Sequence, residues 1–117
     1  MSLPAQLVVA LVALLHAWFL VLEMFLWTKP IGMRTFRLTP EFAERSRALA
    51  ANQGLYNGFL VAGLIYGLCT HSREIVLLFL AFVIIAGAYG AATVNKRIFF
   101  IQALPAIIAT MLVTWSR

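Results

Sequence analysis

Four long apolar stretches take up most of this 117-residue chain and constrain what it can fold into. They cover residues 6–27, 48–69, 75–94 and 98–115. The hydrocarbon core of a bilayer is about 30 Å thick and requires roughly 20 apolar residues in a helix, a length that each stretch meets within the usual tolerance. The sequence therefore predicts an all-α fold, an integral membrane four-helix transmembrane bundle.

The overall composition agrees with this class of protein. Apolar residues make up 63% of the chain and charged residues 11%, against roughly 25% charged residues in soluble domains. The composition therefore argues against a soluble globular fold. Because the connections between the stretches are short, we expect a single four-helix membrane domain over residues 1–117, with any binding site between helices or at their ends.

The basic residues are distributed unevenly among the connections. Seven lie in or beside the first and third connections: Lys29, Arg34, Arg37, Arg45, Arg47, Lys96 and Arg97. The other two are Arg73 and Arg117. Because cytoplasmic connections carry an excess of Lys and Arg, both termini are predicted to lie on the external side. Topology thus explains the net charge of +5 without nucleic-acid binding, and anionic lipid head groups are an alternative for the first connection.

The second predicted helix is longer than the membrane is thick. Thr39 is a suitable N-cap residue and Pro40 fits the first helical position, where its missing N–H costs nothing. No proline follows before Cys69, so the helix should run for about 30 residues, or roughly 45 Å. Residues 40–47 should then extend into the cytoplasm. Residues 28–32 before it are predicted to form only a turn.

A stripe of small residues marks one face of the second predicted span. Its members recur every four residues: Ala50, Gly54, Gly58 and Ala62. Small residues at this spacing let two helix backbones approach closely in lipid. The third span, with Gly87 and Gly90, is predicted to be the partner, and a homo-oligomer is the alternative. Pro105 is expected to kink the fourth span.

Polar side chains from all four spans fall at a similar depth in the cytoplasmic leaflet of the predicted bundle. They form a candidate ligand-binding layer: Glu23, Asn52, Gln53, Asn57, Tyr89 and Gln102. Of these, Glu23 carries the strongest functional indication, because an ionised carboxylate is costly in hydrocarbon and must pair, accept hydrogen bonds or take up a proton. Its candidate partners are Gln53, Asn57, Tyr89, Gln102 and a cation at the rim such as Arg47.

Two readings of Glu23 stay open: it closes a polar clasp between helices, or it handles a ligand or a proton. His16 lies on the same face of the first helix, roughly 10 Å away, and is either a core histidine or part of a relay. One His and one Glu do not make a metal site, so neither metal nor cofactor is predicted. Four aromatic residues are predicted to be lipid-facing or interfacial anchors: Trp18, Phe19, Phe25 and Trp27.

Four segments together resemble the domain-of-unknown-function 1304 (DUF1304) family of small bacterial membrane proteins. They are LEMF at 22–25, AANQGLYNG at 50–58, AGAYG at 86–90 and QALPA at 102–106. The segments have the expected order and spacing, and the resemblance covers essentially the whole chain. It implies a four-helix protein of the bacterial inner membrane, and it implies no activity, ligand or catalytic residue.

The sequence is therefore compatible with three classes of function. The first is a module that binds or transports a small molecule or a proton through the layer around Glu23. The second is a membrane enzyme that acts on a lipid-soluble substrate, for which no catalytic residue set is evident. The third is a structural or partner-binding bundle in which the polar layer only sets the register of the helices.

Overall fold

The computed structural model describes residues 1–116 and is all-α over that range, with no β-strand. Its five α-helices are α1 (Leu3–Met24), α2 (Pro30–Phe36), α3 (Pro40–Cys69), α4 (Arg73–Thr93) and α5 (Leu104–Trp115). A π-helical turn, Phe99–Ala103, leads directly into α5. Arg117, one of the two basic residues outside the first and third connections, lies outside the described residues.

Two of these helices, α1 and α4, are long and apolar enough to cross a membrane by length and composition. The apolar helix Phe99–Trp115 is shorter. α3 has sufficient length, but three amide side chains dilute its apolar half: Asn52, Gln53 and Asn57. The all-α class is therefore confirmed, and four membrane spans stay a prediction.

The chain divides into two compact units. The first contains residues 1–14 together with the residues from Ala62 onward, and the second contains Leu15–Val61. In the first unit, the fully buried apolar side chains come from four helices and the π-helical turn: Ala5, Val9, Val12, Leu64, Val76, Leu80, Val83, Ala103, Ala106, Ala109 and Val113. Packing of these side chains removes apolar surface from solvent.

Close approach of helices in the first unit depends on glycines. A Cβ atom at Gly63 would lie 2.2 Å from the Phe79 ring, and one at Gly87 would lie 2.8 Å from the Ala103 backbone nitrogen. Gly63 thus brings α3 onto α4, and Gly87 brings α4 onto the π-helical turn. The Arg73 guanidinium also donates a hydrogen bond to the Thr114 carbonyl, which joins the start of α4 to the end of α5.

The start of α3 follows from local capping. The Thr39 hydroxyl accepts a hydrogen bond from the Phe42 N–H at 3.2 Å, and Pro40 occupies the first helical position. The helix continues to Cys69, over the 30 residues predicted from the sequence. A side-chain oxygen at the N-cap satisfies one of the N–H groups that a helix start leaves unpaired.

α2 was not predicted, since a simple turn was expected at residues 28–32. Pro30 begins this seven-residue helix, and Arg37 ends it in the left-handed conformation with φ of 56°. The Leu38 N–H then bonds to the Met33 carbonyl at 2.8 Å, a bond of the type that closes helix C-termini. Gly32 is buried against the Leu26 carbonyl, where a Cβ atom would lie only 1.9 Å away.

The fourth predicted span is interrupted just before Pro105. The Leu104 N–H bonds to the Phe99 carbonyl, five residues back, as in a π-helix. A proline has no N–H and its ring crowds the preceding turn, so the regular α-helical bonding cannot continue through this position. The predicted local disturbance at Pro105 therefore takes the form of a π-helical turn, the kind of feature that accompanies helix kinks.

Trp27, predicted to be a lipid-facing or interfacial anchor, connects two segments of the second unit. Its indole N–H donates to the Ser46 hydroxyl at 3.0 Å, and its ring lies 5.0 Å from that of Phe36. Ser46 in turn donates to the Phe42 carbonyl at 2.6 Å. These contacts hold the first connection against the start of α3.

Replacing Trp27 by phenylalanine should cost about 1 kcal/mol of unfolding free energy, because it removes the indole donor while Ser46 keeps its bond to the backbone. Thermal unfolding followed by circular dichroism in detergent measures the loss. Trp18→Phe is the matched control, since Trp18 is exposed. Equal stability of the two variants would contradict a structural role for the indole bond.

Candidate functional site

The candidate site is a carboxyl–amide pair between α1 and α3. Glu23 lies in the last turn of α1, and Asn57 lies in the middle of α3 with 4% of its surface exposed. Asn57 Nδ2 donates a hydrogen bond of 2.5 Å to Glu23 Oε1. A carboxylate has two acceptor oxygens, so this bond occupies one of them.

Glycines allow this pair to form, because they let the two helix backbones approach. A Cβ atom at Gly54 would lie 2.6 Å from Met24 Cγ, 3.2 Å from Glu23 Cβ and 3.3 Å from the Leu20 carbonyl oxygen. A Cβ atom at Gly58 would lie 2.9 Å from Leu20 Cδ1. Three residues of α1 therefore pack where side chains on α3 would otherwise stand.

This contact corrects the predicted partner of the small-residue stripe. The third span was predicted to be the partner, but Gly54 and Gly58 face α1. Ala50 is also buried, whereas Ala62 is exposed. The stripe indicates close approach, but it carries no information on which helix approaches. The third span, α4, instead meets Gly63 and Gly67, which are also four residues apart and were not predicted as a packing motif.

The remaining members of the predicted layer differ in exposure. Asn52 and Gln53 are exposed on α3, and Tyr89 is 71% exposed on α4. Gln102 is half-buried within the π-helical turn. Tyr89 and Gln102 belong to the first unit and Glu23 to the second. Within the second unit, the structure thus brings together Glu23 and Asn57 from the predicted set.

The secondary candidates have other surroundings. Arg47 is exposed and lies 3.6 Å from Glu44 in an ion pair three residues apart on α3. Such an exposed pair contributes at most about 1 kcal/mol to stability. His16 is fully buried, and its ring meets that of Phe19 edge to face at 5.2 Å. Over residues 1–116, no three His, Cys, Asp or Glu side chains come together as metal ligands would.

The backbone adds to the electrostatics at Glu23. The carbonyl groups of the last helical turn point toward its C-terminal end and give it a partial negative charge, which favours cations there. Glu23 adds its own carboxyl group at this end of α1, with Asn57 as a neutral donor. A cation or a hydrogen-bond donor that reaches the carboxyl group would therefore be favoured.

The fold and site define a small all-α protein with a carboxyl–amide pair between apolar helices. The chain belongs to a family of proteins of unknown function, DUF1304, whose family model matches residues 10–114. It is 40% identical over 103 residues to the uncharacterized protein YpaA of Lactococcus lactis subsp. lactis (strain IL1403), an alignment that covers 85% of this chain and 87% of that protein. No solved structure matches the chain. The resemblance seen in the sequence is thereby confirmed.

Proposed function

We propose that this chain is a multi-pass protein of the bacterial cytoplasmic membrane with both termini on the external side. Two sufficiently long apolar helices, α1 and α4, support the membrane location. In the proposed topology α3 and the segment Phe99–Trp115 provide the other two spans. The excess of basic residues in the first and third connections supports the orientation.

We further propose that the chain binds a small polar or cationic solute, or a proton, at Glu23 and transports it in the membrane. The hydrogen bond from the nearly buried Asn57 amide to one carboxylate oxygen is the observation that carries this proposal. It orients the carboxyl group, whose second oxygen would coordinate the solute. Ionisable groups inside membrane helices are commonly part of substrate or proton pathways, because their cost in hydrocarbon requires a function to retain them.

The same bond also favours a second candidate function, a structural clasp in a partner-binding bundle. Gly54 and Gly58 bring α1 and α3 close enough for side chains to interlock, and a part-buried amide–carboxyl bond would set their register. An enzyme that acts on a lipid-soluble substrate is the remaining alternative, and it would use the same carboxyl group. Substitution of Glu23 separates the clasp from the two functions that need ionisation.

The test is native mass spectrometry of the protein released from nanodiscs, comparing wild type with Glu23→Gln. Glutamine keeps the size of the side chain and an oxygen that accepts from Asn57, but it cannot ionise. We expect a small molecule that is retained by wild type and lost from Glu23→Gln. For a proton, acidification inside proteoliposomes, reported by an enclosed pH-sensitive dye, should likewise be lost.

Glu44→Gln is the matched control, since Glu44 is an exposed carboxylate on the same helix as Asn57. It should behave like wild type in both assays. Identical behaviour of all three proteins would support the clasp instead. Glu23→Leu then measures how much the clasp contributes to stability. It leaves the Asn57 amide without its acceptor, at a cost of about 1–2 kcal/mol.

A further inference from the structure

An open groove lies in the first unit, where α4 ends and the π-helical turn begins. Its volume is about 400 Å³, within the range of sites that hold small organic ligands. Five apolar side chains and one lysine line it: Ala88, Ala91, Ala92, Phe99, Phe100 and Lys96. The alanine side chains on α4 are small, and the Phe99 and Phe100 rings meet edge to face with their centroids 5.6 Å apart.

The charge at this groove is positive. Lys96 lies at the groove, and Arg97 follows it. The acidic residue nearest in sequence is Glu74, in the first turn of α4, and α4 is roughly 30 Å long. The Asn95 side chain accepts a hydrogen bond from the Arg97 N–H at 2.9 Å and thus orders the connection that carries both cations.

An apolar groove with cations at one end matches an amphiphile with an anionic head. The acyl chain would lie against the alanine and phenylalanine side chains, and the phosphate would lie beside Lys96. Basic clusters at the cytoplasmic ends of membrane helices are known to attract acidic lipid head groups, at about 1 kcal/mol for each Lys or Arg. A neutral lipid would gain the apolar contacts only.

We propose that the groove formed by Ala88, Ala92, Lys96 and Phe100 binds one acidic phospholipid of the cytoplasmic leaflet. This inference rests on the proposed membrane location and orientation, and it is independent of solute binding at Glu23. From the sequence, anionic lipid was considered only for the first connection, whereas this site belongs to the third.

The experiment is native mass spectrometry of the full chain in a neutral detergent, titrated with dioleoyl phosphatidylglycerol or dioleoyl phosphatidylcholine. Wild type should retain one phosphatidylglycerol in preference to phosphatidylcholine. Lys96→Gln should weaken phosphatidylglycerol retention about fivefold and leave phosphatidylcholine unchanged, as expected for one lost charge contact. Lys96→Arg should restore the preference.

Two further variants make the test specific to the groove. Ala92→Phe places a ring in the groove from an exposed position of α4, and it should reduce retention of both lipids. Lys29→Gln removes an exposed charge from the first connection and should leave retention as in wild type. Circular dichroism checks that each variant keeps its helices.

The proposal would be overturned if wild type retained both lipids equally, if Lys96→Gln and Lys29→Gln had equal effects, or if Ala92→Phe retained lipid as wild type does. Excess inorganic phosphate should not displace the lipid, because the acyl chain contributes to binding. Displacement by phosphate would indicate an anion site without a lipid groove and would also contradict the proposal. Glu23→Gln should bind the lipid normally, which separates failure here from failure of the proposed function.

Discussion

Gly32→Ala is expected to disrupt α2 and to lower the free energy of unfolding by about 3 kcal/mol or more. An alanine Cβ atom would lie 1.9 Å from the Leu26 carbonyl oxygen and 2.7 Å from its carbonyl carbon. These are backbone atoms, so no change of side-chain rotamer relieves the collision, and the connection after α1 must move. Denaturant unfolding in detergent, followed by circular dichroism, measures the loss.

Gly90→Ala is the matched control for this prediction. The nearest atom to its Cβ atom would be Ile98 Cγ2 at 3.1 Å, which belongs to a side chain. Alanine is favoured over glycine in a helix interior by about 1 kcal/mol, which offsets a small adjustment of Ile98. We therefore expect Gly90→Ala to be near neutral. Similar losses for both variants would show that α2 is not held by the close approach at Gly32.

Gly54→Leu is expected to separate α1 from α3, with a loss of about 3 kcal/mol in stability. Its side chain would begin 2.6 Å from Met24 Cγ and 3.2 Å from Glu23 Cβ, so α1 must withdraw. Withdrawal would lengthen the 2.5 Å bond from Asn57 to Glu23. We therefore expect loss of any solute held at Glu23, measured by native mass spectrometry, together with a lower unfolding temperature.

Ala48→Leu is the control for added bulk on the same helix, because Ala48 is exposed. It should change stability by less than about 0.5 kcal/mol, as surface substitutions usually do. If Gly54→Leu were as stable as Ala48→Leu, the close contact between the two helices would not contribute to the fold. If Gly54→Leu kept its stability but lost the solute, solute binding at Glu23 would be more sensitive to this substitution than helix packing is.

Much of the helical structure follows from local signals in the sequence. Thr39 and Pro40 mark the start of α3, and the absence of proline up to Cys69 allows it to continue for 30 residues. Pro105 marks the position where the last helix cannot be regular. Capping and proline effects act within one helical turn, so a single sequence suffices to locate them.

α2 and the π-helical turn were not expected in the form in which they occur. α2 ends because Arg37 adopts a left-handed conformation, which the sequence does not signal as a glycine would. The π-helical turn is one of several ways to accommodate the missing N–H of Pro105. Packing of the surrounding residues selects among such local alternatives.

For the site, the sequence identified Glu23 and offered several partners, and the tertiary structure selected Asn57. The reason is that helical periodicity places a residue on a face of its own helix but carries no information on the neighbour that this face meets. Small residues at a spacing of four likewise do not identify the helix they meet: Gly54 and Gly58 meet α1, while Gly63 and Gly67 meet α4. Pairing of helices depends on contacts between residues distant in sequence, and only the folded chain brings those residues together.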